Sequence, residues 1–200
     1  MPPTTARPSP LGEWAALGQL PRLAWRTPSL VAGQRGTSTV VVLPGRGVND
    51  ASTAPLRAYL RALGHPVQGW GLGVNDGEVE RQAEAVVPLV QRLVDQAGEP
   101  IALVGQSMGG TVARQVARRR PELVSRIVTL GTPLFRTRSS QPFRCPVTAI
   151  YSEADRIVRP EWAIDADPAV EHVKVTSTHF GMGIDPDVWR IVADRLALAT

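Results

Sequence analysis

The stretch Ile101-Ala-Leu-Val-Gly-Gln-Ser107-Met-Gly-Gly110 limits this chain to few folds. Ile101 to Gly105 is a short, mostly apolar run, which suits a buried strand and is too brief for a core helix. Met108 to Arg119 follows with Val112 and Val116 four apart on one face and Pro121 just beyond its end, the signature of a helix and its stop. A strand that reverses sharply into a helix forces the corner residue into strained dihedrals. Gly105 and Gly109, two positions before and two after Ser107, leave room for the backbones to close around it. The pattern G-x-S-x-G between a strand and a helix is a nucleophile elbow, which lifts a hydroxyl clear of the sheet and sets backbone N–H groups beside it. A glycine-flanked serine can also stand in an ordinary loop, so the rest of the chain must supply an acid, a base and an oxyanion pocket in a workable order.

The elements around the elbow alternate. Thr39 to Leu43 reads as a β-branched strand, and Pro55 opens a helix with Leu56, Tyr59, Leu60 and Leu63 on one face. Val67 to Trp70 is a short strand. Asn75 and Glu78 mark a helix start, with Ala83, Val86, Val87, Val90 and Val94 as the buried face, a kink expected at Pro88, and a stop at Gly98 and Pro100. Strands over Arg126–Leu130, Pro146–Tyr151 and Glu171–Val175 follow. Pro186, with Asp185 as cap, opens a closing helix. Strands alternating with helices give an α/β fold, a doubly wound, mainly parallel sheet of about six strands flanked by helices. Ligands of such sheets bind at the C-terminal strand ends.

A serine hydroxyl needs a base to take its proton before it can attack an ester at neutral pH. Of the three histidines, His65 lies in a Gly-His-Pro turn and His172 within a strand. His179, four residues past the last strand in Ser177-Thr-His-Phe-Gly181, lies where a base is needed. Asp155, in the turn after strand 146–151, is the acid expected to orient it, with Glu153 as the alternative. The oxyanion of the tetrahedral intermediate needs two donors. The N–H of Met108 is one, and the N–H of Arg46, between Gly45 and Gly47, is the other. The Arg46 side chain either meets an anionic substrate or points to solvent.

The order Ser107, Asp155, His179 resembles the α/β-hydrolase superfamily, lipase and esterase branch. The resemblance rests on Val40-Val-Leu-Pro-Gly45, Gly105-Gln-Ser-Met-Gly109, Leu130-Gly-Thr-Pro133, Tyr151-Ser-Glu-Ala-Asp155 and Thr178-His179-Phe, and covers roughly residues 39–198. It implies a serine esterase working through an acyl-serine intermediate on a small-molecule or lipid ester, with no cofactor and no metal. An acyltransferase or thioesterase would use the same three groups, whereas an idle binding module would need none of them. The usual His-Gly of the oxyanion loop is Pro44-Gly45 here, and the first strands of the full eight-stranded sheet are not recognisable in residues 1–38. The resemblance therefore implies a minimal core without a cap domain: residues 131–146 are too few for several helices. Pocket walls are then expected from short loops at Arg46, Leu72 and Phe180, with Leu134 and Phe135 as an apolar rim.

The remaining features set boundaries. Residues 1–38 form a Pro-rich N-terminal segment ahead of the domain at 39–200. Within it Trp14, Leu17, Leu20, Leu23 and Trp25 make an apolar stretch over 14–25 that either packs on the domain or touches a membrane surface weakly. All but Lys174 of the 22 basic residues are arginine and the net charge is +4, yet the arginines are scattered. The one run, Arg118-Arg119-Arg120, sits at a helix C-terminus, where the dipole favours cations. A solvated helix end is thus expected there, not a nucleic-acid surface. The single Cys145 excludes an internal disulfide. The N-terminus lacks the apolar core of a secretory signal, so cytoplasm is the expected compartment.

Overall fold

The computed structural model of the chain describes residues 36–134 and 142–198. The apolar stretch 14–25 and Phe135 lie outside the described residues. Six strands, β1 (Val40–Leu43), β2 (Val67–Gly69), β3 (Ile101–Gln106), β4 (Val124–Leu130), β5 (Val147–Ser152) and β6 (Val170–Val175), form one sheet in the order β2-β1-β3-β4-β5-β6. Every pairing is parallel. The helices are α1 (Ala54–Ala62), α2 (Val79–Ala97), α3 (Met108–Arg119), α4 (Pro160–Ala163) and α5 (Pro186–Leu196). Among the described residues no helix is long and apolar enough to cross a membrane.

Side chains alternate across a strand, so each face of the sheet gathers its own core. Val41, Leu43, Leu103 and Ile127 pack with Val86 and Val90 of α2 and Val112 and Val116 of α3. Val40, Val42, Val104 and Val128 pack on the other face with Leu56 and Leu60 of α1 and Val188, Trp189 and Val192 of α5. There Tyr59 and Trp189 stack with ring centroids 5.4 Å apart, joining α1 to α5. Both faces of the central strands are thus buried, as a parallel sheet requires.

Several local expectations change. Helix α2 runs unbroken from Val79 to Ala97 through Pro88, which lies on its exposed face, where water can serve the carbonyl the ring leaves without a donor. Gly98, at φ 74°, closes it. Asn75 does not cap that helix. It is wholly buried in the preceding loop, and Asp76 binds the helix end instead, accepting from Glu78 N–H and from the Gln82 amide. The arginine run is only partly a solvated helix end. Arg119 and Arg120 pair with Glu84 and Glu122, but Arg118 turns inward onto the ring of Phe143.

Cys145 is half-buried against the core below β5. Burial pushes its thiol up to about 11. At pH 8 only about a thousandth is then thiolate, the reactive form. Iodoacetamide is therefore expected to alkylate native protein far more slowly than urea-unfolded protein, by mass spectrometry. Equal rates would contradict this environment.

Candidate active site

Ser107 stands between β3 and α3 at φ 51° and ψ −124°, the one non-glycine residue with positive φ among the described residues. Such a conformation persists only where its surroundings hold it, and here three contacts do so. Ser107 N–H donates to Leu130 O on β4 at 2.8 Å, and Ser107 O accepts from Gly110 N–H and from the Thr132 hydroxyl. The glycines permit the tightness. A Cβ on Gly105 would overlap the Gly110 backbone, one on Gly109 the Leu43 and Pro44 carbonyls, and one on Gly110 the Thr132 hydroxyl. The strand and helix meet backbone to backbone, leaving the serine side chain half-buried at the sheet's C-terminal edge.

The next strand ends supply the other groups. Asp155, in the turn after β5, is 5% exposed, and both its carboxylate oxygens are engaged. Oδ1 accepts from the N–H groups of Ile157 and Val158, each at 2.8 Å. Oδ2 accepts from Nδ1 of His179 at 2.7 Å. A carboxylate can only accept there, so Nδ1 carries the proton and, in the neutral ring, Nε2 is left as the free acceptor. His179 is 3% exposed. Its loop is tied at both ends: the Ser177 hydroxyl donates to Asp185 at 2.5 Å, and Trp189 Nε1 donates to Gly183 O. Asp185 also caps α5 through Asp187 N–H. Glu153, the alternative acid, is instead paired with Lys174. His65 is buried far from these strand ends, its Nδ1 bonded to Ser38 O, and His172 Nε2 accepts from Asp165 N–H.

The loop after β1 passes close to the corner, since a Cβ on Gly45 would lie 3.4 Å from that of Ser107. Asn75 holds this loop. Its side chain donates to Pro44 O at 2.8 Å, its carbonyl accepts from Gly47 N–H at 2.7 Å, and its N–H donates to Val48 O. None of these bonds uses the N–H of Arg46. The Arg46 side chain lies against Gly77, which has no Cβ to displace it. Asn75 was legible only as a helix start, because its partner Pro44 is distant in sequence.

Ser107, Met108, Arg46, Gln106 and His179 border one cavity of about 480 Å³. Its walls are apolar: Val48, Pro133, Ile157, Val158, Trp162, Phe180 and Ile184. Phe180 lies where the sequence reading put it, edge-on to His179 with centroids 5.5 Å apart. Leu72 and Leu134 do not. Leu72 is exposed in the loop after β2, outside the lining, and the part of that loop against the Arg46 side chain is Gly77. Leu134 is buried beneath the wall, where its N–H donates to Trp162 O. The wall the sequence missed is the segment 157–162, whose one signal was a tryptophan after the helix-opening Pro160.

Residues 40–171 match the alpha/beta hydrolase fold family, and the chain belongs to it. Over 112 residues it is 33% identical to the pimeloyl-[acyl-carrier protein] methyl ester esterase of Klebsiella pneumoniae. That match spans 54% of this chain and 42% of the relative. Among solved structures, an α/β serine hydrolase without lid from Xanthomonas campestris aligns with TM-score 0.62 at 18% identity, over 83% of this chain and 86% of that one. An α/β serine hydrolase homologue from Coxiella burnetii aligns with TM-score 0.65 at 18% identity, over 82% and 87%. These structural likenesses speak for the fold alone.

Proposed function

We propose that this chain is a serine hydrolase of carboxylic esters acting through an acyl-Ser107 intermediate. The observation that carries the reading is the convergence on one apolar cavity of a strained, half-buried serine and a buried Asp155–His179 pair. The esterase activity named for the Klebsiella relative supports the reaction class.

In this reading Ser107 Oγ attacks the ester carbonyl carbon while His179 Nε2 takes its proton. Asp155 holds the ring in the Nδ1–H form and stabilises the imidazolium. The carbonyl oxygen becomes an oxyanion, which accepts from Met108 and Arg46 N–H. Collapse breaks the bond to the alcohol oxygen, which leaves with the proton from Nε2. Water then gives a proton to His179 as it attacks the acyl carbon, and the second collapse frees the acid and restores the serine.

A fluorophosphonate should label Ser107 stoichiometrically and abolish turnover of p-nitrophenyl esters. The apolar cavity is of ordinary ligand-site size, which suits short and medium acyl chains. With a 131–146 connection too short for a cap of several helices, rates should vary smoothly through the micelle threshold. A steep jump confined to long chains above that threshold would contradict the open site. Failure of both labelling and turnover would overturn the function.

A further inference from the structure

Arg114, in the second turn of α3, is a charged residue set deep in the fold. It is 1% exposed, and among the described residues its Nε and Nη1 have no hydrogen-bond partner. Among the described residues its ion pair runs from Nη2 to Asp165, and its guanidinium otherwise lies on the Phe143 ring at 4.6 Å. Arg118, one turn later, lies 4.4 Å from the centroid of the same ring, also with two unpartnered nitrogens. Burial holds both guanidinium groups below their ordinary pKa. A buried pair of this kind is a poor source of stability, because desolvation offsets the attraction and well-packed apolar side chains serve as well. Nor does Arg114 border the cavity.

What Arg114 does hold is the segment behind the cavity wall. Asp165 is gripped from two sides, by Arg114 on α3 and by His172 on β6, whose Nε2 accepts Asp165 N–H at 2.9 Å. Three residues upstream is Trp162, which lines the cavity. Helix α4, Pro160–Ala163, is a single turn, too short to hold its own shape. It is also tied by the 2.8 Å bond from Leu134 N–H to Trp162 O and by burial of Ala163. Trp162 itself is 40% exposed, and the Arg159 guanidinium over its ring at 5.3 Å belongs to the same short segment, so both go where α4 is set.

We propose that Arg114 is a positioning residue which, through Asp165, fixes α4 and so sets Trp162 as the wall that receives the acyl chain of medium-length esters. This rests on the ester-hydrolase reading above. An acetyl group is too short to need such a wall, whereas a hexanoyl chain presents several methylenes for it to cover.

The test is a double-mutant cycle on p-nitrophenyl acetate and hexanoate with Arg114→Met and Trp162→Ala. Arg114→Met, which keeps apolar bulk and removes the unsatisfied charge, should lower kcat/KM for hexanoate about tenfold through KM and change acetate less than about threefold. Added to Trp162→Ala it should cost hexanoate little more, since the residue it acts through is gone. Equal losses on both esters, or additive losses in the cycle, would overturn the proposal. If Arg114→Met does not fold, His172→Phe loosens the other side of the grip with the ion pair whole, and the same criteria apply to it. Calorimetric titration of Ser107→Ala with p-nitrophenyl hexanoate reads the wall independently of turnover. There a Kd unmoved by Arg114→Met, or by His172→Phe in its place, overturns the positioning role even if the hydrolase reading has failed.

Discussion

Asp155→Asn should lower kcat by on the order of 10⁴-fold and leave no more activity than Asp155→Ala. The reason lies in how the carboxylate is used. Oδ1 is occupied by the N–H groups of Ile157 and Val158, so an asparagine must keep its carbonyl oxygen there. Its NH₂ group then faces His179 Nδ1 where a carboxylate oxygen accepted at 2.7 Å. Two donors cannot share that contact. The imidazole changes tautomer, Nδ1 becomes the acceptor, and Nε2 carries a hydrogen it would need to be without in order to take the serine proton. Alanine removes the orienting charge but leaves the tautomer free, so some rings stay competent. Ser107→Ala and His179→Ala should each lose on the order of a thousandfold or more, whereas His65→Ala and His172→Ala should spare acetate turnover. Single-turnover kinetics on all six variants reads the order. An asparagine variant clearly more active than the alanine one would show that Asp155 does not set the ring's tautomer.

The sequence made the framework legible because its signals were local. The β-branched run at Val40–Leu43, the glycines around Ser107 and the Asp185–Pro186 helix start each determine a few adjacent dihedrals, and the elements formed within a residue or two of those marks. Parallel pairing then puts the ends of β3, β5 and β6 on one edge, which is why three residues far apart in sequence could be chosen together. What escaped was held by distant partners. Asn75 looked like a helix start because nothing nearby revealed the Pro44 carbonyl 31 positions away. Arg114 carried no signal of its own in the helix pattern, since Asp165 and Phe143 meet it only once the sheet is wound. Trp162 carried no periodic pattern, its helix being a single turn. Loops that wall a cavity are set by such contacts, so the strained corner at Ser107 could be read where the cavity wall could not.

Gly131→Ala should abolish most of the proposed ester hydrolysis while leaving the protein folded. Gly131 follows β4 in the Leu-Gly-Thr-Pro stretch at φ +54°, a region that costs an L-residue about 1–2 kcal/mol. For a domain of this size that lowers Tm by roughly 2–8 °C, which a folded protein survives. The larger effect is local. A Cβ built there would lie 2.8 Å from Met182 Cε, 3.0 Å from Asp155 Oδ2 and 3.2 Å from His179 Nδ1. Met182 is fully buried but its chain is flexible, so its end can swing aside. The Asp155–His179 pair cannot move as freely, because Ile157 and Val158 fix the carboxylate and the Ser177–Asp185 bond fixes the histidine loop. The methyl group must therefore lengthen the 2.7 Å contact or tilt the imidazole away from Ser107. Displacements approaching 1 Å at reacting groups cost on the order of a hundredfold in rate. Gly131→Ala should accordingly lose about that much kcat with KM little changed, and adding Met182→Ala, which opens a cavity in the core, should cost further stability without restoring the rate. Melting curves and steady-state kinetics on the two variants separate these effects. A Gly131→Ala protein with wild-type kcat would mean that the pair tolerates displacement and that its observed geometry is not what turnover depends on.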